Sequence, residues 1–274
     1  MRTRLRPLVG AFTATILVNV LFGLPPVYAS GGAQRRRPSL AELDAWHEGA
    51  HPRDALLAAA REVLEHTDSP GARWRYGRAL HQVAMEPGTS AGDRRRLLGQ
   101  AYEEITGAKA DLPPEQVKER CAAFRWSGIV LSDLSSLQGT TESIKSAYAI
   151  RADFETAMEL DPTEPSAYHL MGVWCMEVAK VTGWTRWLAS SLYAEPPSSS
   201  VAEAGEFFSR AEELAPGFWS ANQVMLATVA LEQGDREGAR YWARCAKDLP
   251  VKTANDKASH AAALAILSKL EALG

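Results

Sequence analysis

One spacing recurs four times along the chain and constrains its fold more than any other feature. A small or β-branched residue is followed four positions on by a small or bulky apolar one. An alanine comes three later, and a proline four or five after that. The copies are Ala101, Ile105, Ala108, Pro113; Ile150, Phe154, Ala157, Pro162; Ala204, Phe208, Ala211, Pro216; and Ala239, Ala243, Ala246, Pro250. Steps of four and three put three side chains on one helix face. Small residues there let another helix approach closely, and the proline marks where the helix stops.

Each copy has an upstream partner with helical spacing: Trp74-Arg75-Tyr76-Gly77, Phe124 to Gly128, Tyr168 to Gly172, and Ser220 onward with Leu226 and Ala227. Paired helices recurring this way follow the tetratricopeptide pattern, with its period of about 34 residues. The fold expected is therefore all-α, a tetratricopeptide-like superhelix. In the first three repeats the second helix begins about 11, 10 and 20 residues later than that period predicts, so expanded intra-repeat loops or extra helical turns are expected there. Ser39 and Glu42 form a capping-box pair that starts an earlier helix, so residues 39–66 read as an N-terminal hairpin. Thr253 to Leu273, rich in Ala and Leu, reads as the C-terminal capping helix a solenoid needs.

Charge divides the chain in two. Residues 1–41 hold six of the 30 Lys and Arg and none of the 33 Asp and Glu, leaving the rest with 24 basic against 33 acidic residues. A body this acidic is a poor non-specific nucleic-acid binder. Residues 1–38 read as an N-terminal targeting or anchor segment with a basic linker, and residues 39–274 as the helical-repeat domain. Arg2, Arg4 and Arg6 precede an apolar run from Leu8 to Leu24, and Arg35 to Arg37 follow it. Three readings stay open: a signal peptide cleaved after Ala29, a single anchor leaving the body in the cytosol at a mitochondrial outer or endoplasmic-reticulum membrane, and a mitochondrial presequence. Cys121, Cys175 and Cys245 read as thiols packed in helices, with no metal spacing among them.

Four stretches carry a family resemblance: His169–Cys175 (HLMGVWC), Leu192–Ser199 (LYAEPPSS), Phe207–Glu213 (FFSRAEE) and Tyr241–Pro250 (YWARCAKDLP). With their order and the long third-repeat insertion, they make residues 42–270 resemble the regulator of microtubule dynamics family. The resemblance implies a non-enzymatic microtubule-associated regulatory or scaffold protein, with tubulin or another protein as partner. It also implies an alternative, a membrane-associated phospholipid-binding or transfer module at organelle contacts. Tubulin tails are acidic, as this body is, which weighs against simple overall charge attraction.

One catalytic motif stands against that reading. His47-Glu48-Gly49-Ala50-His51 matches HExxH, in which a zinc protease projects two His from one helix face with the Glu as general base. Gly49 interrupts the helix here and Pro52 pushes His51 out of helical dihedrals, so the two imidazoles are expected to diverge. No Gly-rich phosphate loop, GxSxG elbow or dinucleotide fingerprint is present, and no catalytic residue, metal or cofactor is assigned.

Repeat positions 5, 9 and 12 of each first helix should share one face. Counted from Trp74, they give Arg75, Ala79 and Gln82, then Arg125, Ile129 and Ser132, then His169, Val173 and Met176, then Val224, Thr228 and Leu231. The face runs from cationic to apolar, which suits an anionic amphipathic ligand such as a phospholipid. Its head would lie near Arg75 and Arg125, and its apolar part along Ile129, Val173, Met176 and Leu231, with His169 also lining the groove. A basic patch of Arg73, Arg78, Arg94, Arg95 and Arg96 is a second candidate, for acidic tails or phosphate. Trp184, Trp187, Leu188 and Leu192 form an apolar stripe that could close over the groove as a lid or meet a membrane.

Overall fold

A computed structural model describes residues 36–49, 51–180, 190–191 and 197–272. They form eleven helices and no strand: α1 Leu40–Glu48, α2 Arg53–Thr67, α3 Pro70–Ala84, α4 Ala91–Asp111, α5 Val117–Gln138, α6 Thr140–Leu160, α7 Pro165–Ala179, α8 Val201–Leu214, α9 Ser220–Glu232, α10 Arg236–Asp248 and α11 Ala254–Ala272. The strongest packing pairs α3 with α4, α5 with α6, α7 with α8 and α9 with α10, four consecutive hairpins. α11 covers α9 and α10 at the C-terminal end.

The sequence spacing is the packing. Ala101, Ile105, Ala108, Phe154, Ala157, Ala204, Phe208, Ala211, Ala239, Ala243 and Ala246 are all buried, as is Ile150. Volume is traded across each hairpin at one register. In α7, a Cβ on Gly172 would sit 2.6 Å from the Phe208 ring of α8, and one on Gly77 would sit 2.5 Å from Ile105. Gly128 meets Phe154 in the same way. At the matching position of α9 stands Ala227, and the opposite residue shrinks to Ala243. Gly172→Leu should therefore overpack the α7–α8 contact and lower stability by about 1–3 kcal/mol, with Phe208→Ala restoring part of it. Urea unfolding reads this directly; a variant as stable as the parent would mean the helices do not meet there.

The extra residues of the first two repeats are helical turns. α4 begins ten residues before Ala101, and a single residue, Gly139 at φ 104°, separates the long helices α5 and α6. Only glycine adopts that backbone readily. Most of the third insertion, with Trp184, Trp187, Leu188 and Leu192, lies outside the described residues.

Ser39 and Glu42 do form the reciprocal capping box at α1. The N-terminal hairpin is irregular, however. α1 packs as much on α3 as on α2.

Candidate functional site

Three first helices start in equivalent ways. Pro70 opens α3, Pro165 opens α7 and Ser220 opens α9. Counting seven residues on reaches Gly77, Gly172 and Ala227, the positions that face the second helix. The first repeat is thereby one residue earlier than a count from Trp74 suggests. Trp74, Arg78 and His81 occupy its positions 5, 9 and 12, and Arg75, Ala79 and Gln82 are each displaced by one. Ala79 is buried in the core as a result.

α1 lies over this row. Its Asp44 carboxylate accepts from Arg75 Nε at 2.9 Å and Arg75 Nη2 at 2.6 Å, and pairs with Arg78 at 2.9 Å. Arg75 also donates to both oxygens of Glu119 on α5, at 2.6 and 2.8 Å, and Trp74 Nε1 donates to the same carboxylate. One guanidinium, 5% exposed, thus ties α1, α3 and α5 together. Burial pushes the Asp44 and Glu119 carboxyls up, but hydrogen bonds and charge from Arg75 outweigh it and leave both below their ordinary values. Burial lowers Arg78 to about 10, against the pull of Asp44, so it stays charged at neutral pH.

The same surface takes in the zinc-protease motif and separates its imidazoles. α1 ends at Glu48, Gly49 is extended, and α2 starts only at Arg53. His47 Nδ1 accepts from Gln82 Nε2 at 2.6 Å, and its ring meets Trp126 edge-on. Burial, followed by the charge of Arg78, pushes its pKa down to about 3. His51 stacks on Trp46, 4.7 Å between centroids. Among the described residues no three His, Cys, Asp or Glu side chains gather as a metal site. His81 pairs with Asp133 at 2.7 Å, both buried, which completes a polar seam between α3 and α5.

The remaining predicted groove residues do not share one surface. Arg125 is partly buried, pairing with Glu164 at 3.5 Å and donating to the Ser166 hydroxyl. His169 is buried between the Phe208 and Trp219 rings. Asn222 donates to the Phe208 carbonyl and to Glu212, so its carbonyl oxygen faces His169 Nδ1, 3.0 Å away. The proton of the neutral ring therefore sits on Nδ1. Burial drives this histidine down to about 4. Met176 is a core residue, and Leu231 packs near Ala230, Ala239 and Leu270 at the far end. Ile129 and Val173 do come together. With Ile150, Phe154, Leu170 and Trp174 they wall a cleft between α5, α6 and α7 of about 680 Å³ including its open mouth. Ser132, Ser136, Ser143 and Glu177 supply its polar rim, and no cation among the described residues lines it.

The predicted basic patch is likewise engaged within the fold. Arg73 pairs with Asp68, Glu104 and Asp111. Arg94 donates to the Ala84 and Glu86 carbonyls at the end of α3, and Arg95 to Leu137 O at the end of α5. Such arginines satisfy carbonyls that a helix end leaves without partners. Arg96 is exposed and pairs with Asp93. A different row of cations, Arg236, Arg240, Arg244 and Lys247, lies on α10, and its intervals of four, four and three are a signal legible in the sequence.

With this geometry in place, the relatives can be compared. A family model described as regulator of microtubule dynamics protein 1–3 matches residues 39–271. The chain belongs to that family. Regulator of microtubule dynamics protein 1 from Bos taurus is 38% identical over 184 residues, covering 67% of this chain and 56% of that protein. The Homo sapiens protein of the same name is 36% identical over 184 residues, again 67% of this chain and 57% of its own length. Regulator of microtubule dynamics protein 3 from Xenopus laevis is 30% identical over 222 residues, 80% of this chain and 47% of that protein. The chain thus spans about half the length of these relatives. A solved structure of a monomeric IFIT1 mutant with Gppp-AAAA aligns over 81% of this chain and 55% of that one, at 15% identity and a TM-score of 0.43, a likeness that transfers no ligand.

Proposed function

We propose that this chain is a non-enzymatic microtubule-associated scaffold whose partner is tubulin. The family match across residues 39–271 carries the reading, since the relatives it joins are named for the regulation of microtubule dynamics. The use of polar groups supports the non-enzymatic part. The buried charges and imidazoles of the first-helix row pair with one another, as Arg75 does with Asp44 and Glu119 and His81 with Asp133. Such pairing spends these groups on locking helices together rather than presenting them to a substrate. In this reading residues 1–38 hold the repeat domain at a cytosol-facing membrane surface; no helix among the described residues is long and apolar enough to cross a membrane. The test is to add the full-length chain to dynamic microtubules and record growth rate and catastrophe frequency. A concentration-dependent change in either is expected, and unchanged dynamics would overturn the proposal.

The α5–α6–α7 cleft favours a second reading, a phospholipid-binding module. Its apolar walls would gain about 25 cal/mol per Å² of acyl surface covered. Its rim of hydroxyls suits a head group bound without Arg75. Native mass spectrometry of the protein purified from a lipid-containing host tests this, and a lipid-free mass throughout would remove it.

A further inference from the structure

Most arginines among the described residues are engaged. Arg73, Arg75, Arg78, Arg94, Arg95, Arg125, Arg151 and Arg210 each bond a carboxylate, a carbonyl or a hydroxyl of the fold. The α10 row differs. Its ends are occupied, Arg236 within the chain and Lys247 by Asp248 at 2.9 Å. Arg240 and Arg244, one turn apart between them, have no hydrogen bond, ion pair or ring contact among the described residues. Arg120 on α5 shares that condition but stands without a second arginine one turn away.

A second feature marks the same surface. Tyr241 sits between the two arginines in sequence and is 59% exposed, with its ring edge-on to Trp242 at 4.9 Å. An exposed tyrosine flanked by unpaired arginines has the composition of a binding hot spot, because both residue types offer wide, partly apolar surface with directed donors. The buried alanines Ala239, Ala243 and Ala246 fix α10 from its other side, so the row is held on a rigid element.

We infer that this face of α10 is a docking surface for an extended acidic polypeptide segment. Two arginines four residues apart on a helix are separated by about 6 Å along the axis. Alternate side chains of an extended strand recur at about 6.6 Å on one side. Carboxylates at every second residue therefore match the two guanidinium groups, each taking a carboxylate through its planar fork. The acids of the same helix are Glu237 and Asp248, and Asp248 is already paired with Lys247. The acidic balance of the whole body selects a thin ligand. At physiological salt, charges beyond about 8 Å are screened, so a single strand laid on the row feels mainly the row. A bilayer or a duplex presents a wide anionic surface to the rest of the acidic body as well. The inference deepens the microtubule reading and rests on it, since the acidic tails of tubulin are segments of this kind.

The experiment uses the full-length chain in mild nonionic detergent, with two readouts: anisotropy of a labelled polyglutamate peptide, and co-sedimentation with microtubules. The variants are Arg240→Gln with Arg244→Gln, Tyr241→Ala, and Arg120→Gln as the charge control, each checked by circular dichroism. The double variant should bind the peptide at least about fivefold more weakly, the sum of two exposed charge-assisted contacts. Arg120→Gln should leave binding unchanged. Equal weakening by Arg120→Gln would show unspecific charge attraction and overturn the site. Undiminished pelleting of the double variant, with no peptide bound by the parent, would also overturn it while the microtubule reading stands. Peptide binding that depends on Arg240 and Arg244, without pelleting of the parent, would keep the surface and remove the microtubule reading.

Discussion

Acidification from pH 7 to pH 5 is expected to lower the stability of the repeat domain by about 4 kcal/mol through two histidines alone. His47 and His169 titrate near 6.5 in the unfolded chain but at about 3 and about 4 in the fold. Burial is the main cause for both. The sign follows from proton counting: below pH 6.5 the unfolded chain binds protons that the folded one refuses, so stability falls with pH until the folded values are reached. Each ring contributes about 2 kcal/mol at pH 5. A domain of ordinary stability, about 5–15 kcal/mol, would lose a large fraction. Urea unfolding at pH 7, 6 and 5 measures the loss. His169→Gln should roughly halve its pH dependence, and an identical pH dependence in parent and variant would contradict the assignment.

Arg75→Ala is the second large effect. It removes the one cation shared by Asp44 and Glu119, whose side chains are only 34% and 29% exposed. Removing one partner of a buried ion pair costs about 3–5 kcal/mol, and partial access of water to the two carboxylates places this site near 3. Arg75→Lys should recover little, because an ammonium cannot span two carboxylates with a planar fork. The two carboxyls lie below their ordinary 3.8 and 4.5, so their contribution is complete above about pH 4.5 and is lost as pH falls further. The acid loss between pH 7 and 5 therefore belongs to the histidines and should persist in Arg75→Ala. A variant within 1 kcal/mol of the parent, read by urea midpoint, would mean that α1 is not clamped through this residue.

What could be read from the amino acids alone was local. The Ala101, Ile150, Ala204 and Ala239 copies locate four second helices because their packing is written in steps of three and four within one helix. The glycine–aromatic trade was half visible: Gly128 and Gly172 stood out, but Phe154 and Phe208 lie 26 and 36 positions away. A count from Trp74 displaces the first-repeat register by one residue; Pro70, which opens the helix, gives the correct frame. The fate of the cations was not legible. Arg75 finds Asp44 and Glu119 at separations of 31 and 44 residues, and Arg73 finds Asp111 at 38, all set by tertiary packing. A cluster that is basic in sequence becomes a set of internal fasteners, while the row on α10 keeps two arginines without a partner among the described residues.

Co-sedimentation of the full-length chain with stabilised microtubules tests the central claim most directly. Saturable pelleting that weakens as salt rises is the predicted result. A folded chain that stays in the supernatant at every tubulin concentration would contradict it.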